Sequence, residues 1–282
     1  MTLFSIWPHS VEAKLYQRQQ LVFGDVLAHI EIDTDLKRQA AYKIIQAGFT
    51  KINDYNQIFS TYIKNSEINQ LNKIQKPIKH YKISDELHEA ISLAIFYTQE
   101  TKGHFDLTFE MSQTALHAIK LNKDKTINIL ESNVILNPTG LIKGLVIDKI
   151  MLELKKNNNI NAAMIKLSGD IAVFNRANNY QTIKIYNPNN NGDVNSFLHE
   201  VKMVNQSIST SGQYERGQHI KDVNKTKLNH KQVSVIASKT ILSDALATAM
   251  LHMPLKLIKD LKKRLKLKQV VVLTQKNKLT IF

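Results

Sequence analysis

The stretch QSISTSGQYERGQHIKDVNKTKLNHKQVSVIASKTILSDALATAM, residues 206–250, passes from polar residues to an apolar run and then to a helical pattern. The apolar residues alternate along 233–237, which predicts a β-strand. Ser243 follows this run and is predicted to cap the next helix. The mixture of strand and helix, here and elsewhere in the chain, favours the α+β class.

The predicted helix carries a carboxylate and a hydroxyl on one face. Asp244 and Thr248 are four residues apart, so their oxygens project from the same side. Such a pair near a helix N-terminus can hold a hard divalent cation and meet a phosphate group. The polar segment before the strand adds further reactive side chains, namely Tyr214, Glu215, Arg216, His219 and Asp222. The stretch therefore predicts a catalytic or ligand-binding site rather than a purely structural loop.

Composition limits the class of protein. The chain has 282 residues, of which 43% are hydrophobic and 22% charged, which is typical of a globular protein with a sizeable core. Its formal net charge of +14 suits anionic partners, but the charges are spread along the chain and no nucleic-acid-binding motif occurs. We therefore predict no nucleic-acid partner. The absence of cysteine excludes disulfides, thiol nucleophiles and zinc–cysteine sites.

Both ends of the chain bear on location. No apolar stretch reaches the roughly 18 residues of a membrane span, and residues 1–20 hold neither a signal-peptide pattern nor a cysteine for lipid attachment. The sequence as given predicts a cytoplasmic protein; a trimmed N-terminus would make it periplasmic or associated with the inner membrane. The lysine-rich segment after residue 254 permits contact with an anionic membrane, although a docked amphipathic helix is the favoured interpretation.

Hydrophobic periodicity predicts the remaining elements. Helices are expected at 34–59, at 84–102 and from Lys143 to 154 after a turn at 139–140, strands at 21–32, 162–166, 181–187 and 197–204, and a helix followed by a hairpin in 254–282. Thr34 is predicted to cap the first helix. No internal repeat or proline/glycine linker marks a boundary. We predict a short extension at 1–20 and one unit at 21–282, with two lobes around a cleft as a possible arrangement.

Several motifs resemble those of one protein family. TSGQYER, HIKD and SDALATAM, in this order, resemble motifs of the ApbE family, the flavin transferases that attach FMN from FAD to proteins. Further similar stretches are FSTYIKNSEINQLN at 59–72, GHFDLT at 103–108, LIKGLVIDKI at 141–150 and KLSGDIAVFN at 166–175. Their shared order makes the resemblance specific, and it extends from about residue 21 to the end.

The resemblance implies a reaction and its metal. The expected activity is the Mg²⁺-dependent transfer of FMN from FAD to a Thr or Ser hydroxyl of a target flavoprotein, with release of AMP. Asp244, Thr248 and the backbone carbonyl of Ile142 are the implied Mg²⁺ ligands. His219 is the implied catalytic base for the acceptor alcohol.

The resemblance also implies which residues surround FAD. They are Gly24, Tyr62, Phe105, Asp106, Lys143, Asp148, Gly169, Asp170, Ser211, Gly212, Tyr214 and Arg216. Lys143 and Arg216 would hold phosphate oxygens, Tyr214 would border the flavin, and glycines around Lys143 would let the backbone approach the ligand. Tyr62 is a candidate for stacking on the flavin, with core packing as its alternative. Phe105 is assigned equally to the cleft and to the core.

Two other functions remain open. An FAD pyrophosphatase would use the same metal site, with water as the nucleophile, to give FMN and AMP. A flavin-binding protein without catalytic activity would keep only the cleft. Departures from the family pattern bear on this choice: Phe23 and Asp25 flank Gly24 where Met-Gly-Thr is usual, and Ser168 stands where the first glycine of Gly-Gly-Asp is usual.

Overall fold

A computed structural model describes residues 14–189, 193, 196–212 and 228–282. The helices are α1 Arg38–Phe59, α2 Glu67–Asn72, α3 Asp85–Glu100, α4 Thr139–Lys156, α5 Thr240–Met250 and α6 Leu255–Arg264, with a short 3-10 helix at Leu116–Ala118. The strands are β1 Lys14–Val22, β2 Val26–Thr34, β3 Ile78–Lys82, β4 Ile119–Leu121, β5 Thr126–Ile129, β6 Ile160–Leu167, β7 Asp170–Asn175, β8 Gln181–Tyr186, β9 Phe197–Met203, β10 Gln206–Gly212, β11 His230–Ala237, β12 Gln269–Thr274 and β13 Leu279–Ile281. The α+β prediction is confirmed.

The centre of the fold is an eight-stranded sheet in the order β1-β2-β6-β7-β10-β11-β12-β13. All of its neighbouring strands are antiparallel. A second sheet has the order β3-β5-β4, and β8 pairs with β9 as a separate hairpin. Two strands of an antiparallel pair can be joined by a short turn. Along the chain, the helices therefore occur between hairpins of this sheet rather than after every strand.

The central sheet is covered on both faces. Helices α1, α4 and α5 pack on one face, where residues such as Phe49 and Ile147 are fully buried. The β8–β9 hairpin covers part of the other face, where Ile183 and Val201 join a cluster with Met164 and Val173 of the central sheet. Alternate residues of the central strands therefore serve two different cores.

Most predicted helices and strands are present, with small shifts at their ends. The helix predicted at 84–102 is present as α3. The side chain of Ser84 caps it by accepting a hydrogen bond from the amide of Leu87 at 3.1 Å. Helix α6 is docked through Ile258 and Leu261, both buried, as the favoured interpretation of its lysine-rich sequence predicted. Among the described residues, no helix has the length and apolar character needed to cross a membrane.

The prediction of one strand over 21–32 is wrong. β1 ends at Val22 and β2 begins at Val26, with a tight turn between them in which Phe23 has φ 51° and Gly24 has φ 93°. Residues that lie opposite each other in an antiparallel pair point to the same face of the sheet. The alternation of apolar and polar residues in β1 therefore continues in β2, and the sequence pattern does not reveal the turn between them. β1 begins at Lys14, so the sheet already includes the last part of the segment assigned to an extension.

The predicted cap of the first helix is also wrong. α1 begins at Arg38, and Lys37 at its N-terminus provides no side-chain cap. The hydroxyl of Thr34 instead donates to the carbonyl of Asn159 at 2.6 Å and accepts from the amide of Leu36. Thr34 is fully buried at the end of β2, so its hydroxyl bonds to the nearest element rather than to the helix after it.

Candidate active site

Three turns meet at one end of the central sheet. The amide of Ser168 donates to the carbonyl of Leu27, which places the β6–β7 turn beside the β1–β2 turn. The amide of Thr210 donates to the carbonyl of Gly169 at 3.0 Å, which places the end of β10 there as well. Ser168 has φ 54°, a left-handed conformation that the usual glycine would adopt without strain. Gly24, Gly169, Asp170, Ser211 and Gly212 are thereby brought to the same end of the sheet.

The strongest contacts of this region lie between α4 and α5. The amide of Gly144 donates to Asp244 Oδ2 at 2.8 Å. Lys143 Nζ lies 3.2 Å from Asp244 Oδ1 and 3.1 Å from Asp170 Oδ2. Both carboxylates belong to buried residues, whereas 28% of the Lys143 side chain is exposed. Lys143 therefore bridges two carboxylates that come from different elements.

Burial sets the electrostatics of this cluster. Burial, together with the charge of Asp170, raises the pKa of Asp244 to about 7, against the opposing effect of Lys143 and the Gly144 amide. Burial alone lowers the pKa of Lys143, but the two carboxylates outweigh it and raise that pKa, so the ammonium stays charged. Two carboxylates against one ammonium leave an excess of negative charge when both are ionised.

The cluster fits a hard cation by its donor set. Buried Asp170 Oδ2 has the Lys143 ammonium at 3.1 Å as its ionic partner, and carboxylate and hydroxyl oxygens are the donors that a hard cation binds. Among the described residues, no group of three His, Cys, Asp or Glu side chains could hold a metal. The further oxygen donors that the resemblance implies for Mg²⁺ are the hydroxyl of Thr248, on the same helix as Asp244, and the carbonyl of Ile142, in the first turn of α4.

Paired hydroxyls align α5 on β10. Residues of β10 that face the helix alternate along the strand, and each meets one hydroxyl of α5. The pairs are Ser207 with Thr240 at 2.8 Å, Ser209 with Ser243 at 2.8 Å, and Ser211 with Thr248 at 3.3 Å. This hydroxyl ladder fixes the rotation of α5, and with it the direction of Asp244.

Ser243 is therefore not the cap of α5, contrary to the sequence prediction. The helix begins at Thr240, and its first two amides are satisfied from another helix. Asp148 on α4 accepts from the amide of Thr240 at 2.8 Å and from that of Ile241 at 3.0 Å. Burial raises the pKa of Asp148, while these two amides oppose that shift. Asp148 thus has a structural role, and its predicted contact with FAD remains a prediction.

Gly144 has a packing role that the sequence did not predict. The sequence suggested that glycine lets the backbone approach a ligand. A Cβ at Gly144 would lie 2.6 Å from the carbonyl oxygen of Thr240, 2.7 Å from Ile241 Cα and 2.8 Å from Asp244 Cβ. Gly144 therefore permits the close approach of α4 to α5, which its hydrogen bond to Asp244 requires.

We expect Gly144→Ala to destabilise the protein by about 1–3 kcal/mol, because rigid backbone atoms of α5 would have to move away from the new methyl group. Chemical denaturation followed by circular dichroism measures the change. Gly48→Ala in α1 is the matched control, since its Cβ would meet side-chain atoms rather than backbone: the flexible end of Ile30 at 2.8 Å and Ile150 Cγ2 at 3.5 Å. Equal stabilities of the two variants would contradict the packing argument.

The Phe-Asp-x-Thr motif builds a turn beside α4. Phe105 is buried against Tyr97, with ring centroids 6.3 Å apart, and also contacts the position where a Cβ on Gly140 would lie. Asp106 Oδ1 accepts from the amide of Thr108 at 2.8 Å and from its hydroxyl at 2.9 Å. These contacts support core packing for Phe105, and those of Asp106 stabilise the turn.

Two asparagines connect the early motifs to the N-terminus of α4. Asn72 binds the backbone of Leu136 in both directions, at 2.9 and 3.0 Å. The amide of Asn137 donates to the carbonyl of Leu107 at 2.7 Å, and its side chain accepts from the amide and hydroxyl of Thr139. Sequence reasoning missed Asn137, although an Asn-Pro-Thr-Gly run before a helix is a turn signal.

Tyr62 does not pack in the core: it is 92% exposed, so that alternative is wrong. Its stacking on a flavin remains a prediction. Tyr214, Arg216 and His219 lie in 213–227, outside the described residues, and their assignments also remain predictions. Gly212 is the last residue of β10 and leads directly into that segment.

Comparison with known proteins supports the resemblance. The chain matches the ApbE family over residues 25–272. A search of curated proteins finds no match. Three solved structures are similar. The ApbE protein of Thermotoga maritima has 17% sequence identity and a TM-score of 0.80, and the match covers 95% of this chain and 96% of that chain. Flavin transferase ApbE of Vibrio cholerae has 14% identity and a TM-score of 0.75, with coverages of 96% and 97%, and the apo form of flavinyl transferase ApbE of Pseudomonas stutzeri has 16% identity and a TM-score of 0.79, with coverages of 100% and 96%.

At these identities the structures demonstrate a common fold, which extends over nearly the whole length of each chain. The family match covers the central sheet from the β1–β2 turn to β12, together with α4 and α5. It therefore includes both helices of the buried carboxylate cluster, and the chain belongs to the ApbE family.

Proposed function

We propose that this protein transfers FMN from FAD to a Thr or Ser hydroxyl of a target protein, with Mg²⁺ bound and with release of AMP. The observation that carries the proposal is the buried cluster of Asp170, Lys143 and Asp244 between α4 and α5. The solved relatives of Vibrio cholerae and Pseudomonas stutzeri are named as flavin and flavinyl transferases, which supports the same class of reaction.

The chain's own residues would supply binding and positioning. Asp244, Thr248 and the carbonyl of Ile142 would hold Mg²⁺, which supplies charge neutralisation on the pyrophosphate when bound. Lys143 stays charged within the cluster and would stabilise phosphate oxygens as a point charge. Most of the rate enhancement would come from such positioning and electrostatics, as in other phosphoryl transfers.

The reaction breaks one bond and forms another at a single phosphorus. The acceptor hydroxyl oxygen bonds to the phosphorus on the flavin side of FAD, and the bond from that phosphorus to the bridging oxygen breaks. AMP leaves with the bridging oxygen. His219 would accept the proton of the hydroxyl, because an alcohol is a weak nucleophile until a base within hydrogen-bond reach removes its proton.

One experiment separates the proposal from its alternatives. The purified protein is incubated with FAD, Mg²⁺ and a peptide that carries an acceptor Thr, and the products are resolved by mass spectrometry and chromatography. The FMN-peptide together with AMP is the expected result. A matched peptide with Val in place of Thr should remain unmodified, and a chelator should stop both products.

The other outcomes identify the alternatives. FMN and AMP without a modified peptide would indicate an FAD pyrophosphatase with water as the nucleophile. Binding of FAD without any turnover would indicate a flavin-binding protein. Either result would overturn the proposed transfer.

A further inference from the structure

A short loop after α1 presents one aromatic ring to solvent. The Tyr62 loop, residues 60–65, connects buried Phe59 at the end of α1 to buried Ser66 before α2. Within it, the Tyr62 ring is 92% exposed, the largest exposure among the large hydrophobic residues described. The ring makes no contribution to the core, so the stability of the fold does not explain its orientation.

The backbone that carries this ring is extensively hydrogen-bonded. Asn69 on α2 donates its side-chain amide to three carbonyls of the loop: Ser60 at 3.3 Å, Thr61 at 2.9 Å and Ile63 at 2.9 Å. These carbonyls lie on both sides of Tyr62. One side chain therefore determines the path of the backbone through the exposed residue.

Neighbouring groups complete the bonding of the loop. The hydroxyl of Ser60 accepts from the amides of Tyr62 at 3.2 Å and Ile63 at 3.3 Å. The hydroxyl of Ser66 donates to the carbonyl of Ser60 at 2.6 Å. Farther along, Gln70 donates to the carbonyl of Asn65 at 2.8 Å. The backbone that carries the exposed ring is thus ordered before any ligand arrives, which lowers the backbone entropy lost on binding.

The loop is also anchored to the proposed catalytic region. Asn72, at the end of α2, bonds to both backbone groups of Leu136. Leu136 precedes α4 closely, and the first turn of α4 contains Ile142, next to Lys143. Helix α2 thus connects the Tyr62 loop to the segment that precedes α4.

We propose that Asn69 is a positioning residue, which holds the Tyr62 loop so that the Tyr62 ring can stack on a planar ring of FAD. The proposal rests on the proposed function, because FAD is its ligand. Asn69 lies within the 59–72 stretch that resembles the family, but no role was predicted for it from the sequence; its three hydrogen bonds to the loop carry the assignment. Stacking of an aromatic side chain on a heterocycle requires that the side chain start from the right place, and Asn69 fixes the backbone from which the Tyr62 ring projects.

Four variants test this role: Tyr62→Ala, Asn69→Asp, Asn69→Ala and Gln70→Ala. Asn69→Asp has nearly the same shape but cannot donate, and Asn69→Ala provides a second variant if the aspartate perturbs folding. Gln70→Ala is the matched control, since it also removes a bond to a loop carbonyl, but one away from Tyr62. Thermal unfolding confirms that each variant is folded.

The dissociation constant of FAD is measured by flavin fluorescence, and the Michaelis constant and turnover number by AMP release. Tyr62→Ala should weaken FAD binding by about tenfold, a typical effect of losing one stacked aromatic ring. Both Asn69 variants should weaken it several-fold and raise the Michaelis constant for FAD at an unchanged turnover number. Gln70→Ala should match the parent.

A double variant distinguishes positioning from an independent contact. Asn69→Asp combined with Tyr62→Ala should bind FAD no more weakly than Tyr62→Ala alone, because Asn69 acts through the ring. Additive losses, or parent-like binding by both Asn69 variants, would overturn the proposal. If the parent transfers FMN while the Asn69 variants keep its Michaelis constant, only the role of Asn69 fails. If the parent does not bind FAD, the proposed function and this role fail together.

Discussion

Asp244→Asn is expected to abolish FAD cleavage while the protein remains folded. The asparagine keeps an oxygen that can accept the Gly144 amide, which Asp244 accepts at 2.8 Å, so the packing of α4 on α5 survives. It removes the negative charge that a Mg²⁺ ion requires. Because such an ion contributes several kcal/mol to stabilising charge on a phosphate, we expect a loss of at least about 10³-fold in the rate of AMP release.

Asp148→Asn is the matched control for this variant. It is also a carboxylate between α4 and α5, but its oxygens accept the first two amides of α5. We expect it to lower stability by about 0.5–2 kcal/mol, as for the loss of a helix cap, and, through the predicted contact of Asp148 with FAD, to raise the Michaelis constant for FAD while the turnover number still depends on Mg²⁺. Unchanged Mg²⁺-dependent activity in Asp244→Asn would show that Asp244 is not a metal ligand.

His219→Ala is expected to lose transfer to the peptide by about 10²- to 10⁴-fold, the usual effect of removing a general base. FAD binding should remain near the parent value, because the proposed role concerns the acceptor. In the parent, transfer should decrease as the pH falls, since a protonated imidazole cannot accept a proton. Protonation of Asp244, whose pKa burial raises to about 7, should decrease transfer as well. The variant should therefore keep only the part of the decrease that Asp244 causes.

A surface histidine provides the control for His219. His117 lies on the surface, in an ion pair with Glu131 at 2.8 Å, and His117→Ala should leave transfer unchanged. Rates are compared by the accumulation of FMN-peptide at several pH values. Transfer by His219→Ala at the parent rate would exclude His219 as the base.

Patterns that depend on neighbouring residues were predicted well. The alternation over 233–237 and the spacing of Asp244 and Thr248 give β11 and one face of α5, and the helix expected at 84–102 is present as α3. Periodicity and caps of this kind express local geometry, which the sequence contains directly.

Contacts between distant segments were not predictable in the same way. The first amides of α5 are bonded by Asp148 from another helix, so no local cap was needed there. Thr34 is a residue type that often caps helices, but its hydroxyl donates to the carbonyl of Asn159 instead. Asn69 lies in a plain helical turn, and only the path of the chain shows which carbonyls it reaches.

The joining of α4 and α5 also determines when the site can form. The hydrogen bond from Gly144 to Asp244 connects residues 100 positions apart, and that from Thr240 to Asp148 connects residues 92 apart. Such long-range contacts form late in folding, because a large loop must close first. During synthesis, α4 leaves the ribosome long before its partner helix exists. The emerging chain therefore cannot assemble this carboxylate cluster, and the chemistry proposed here begins only after nearly the whole protein has been made.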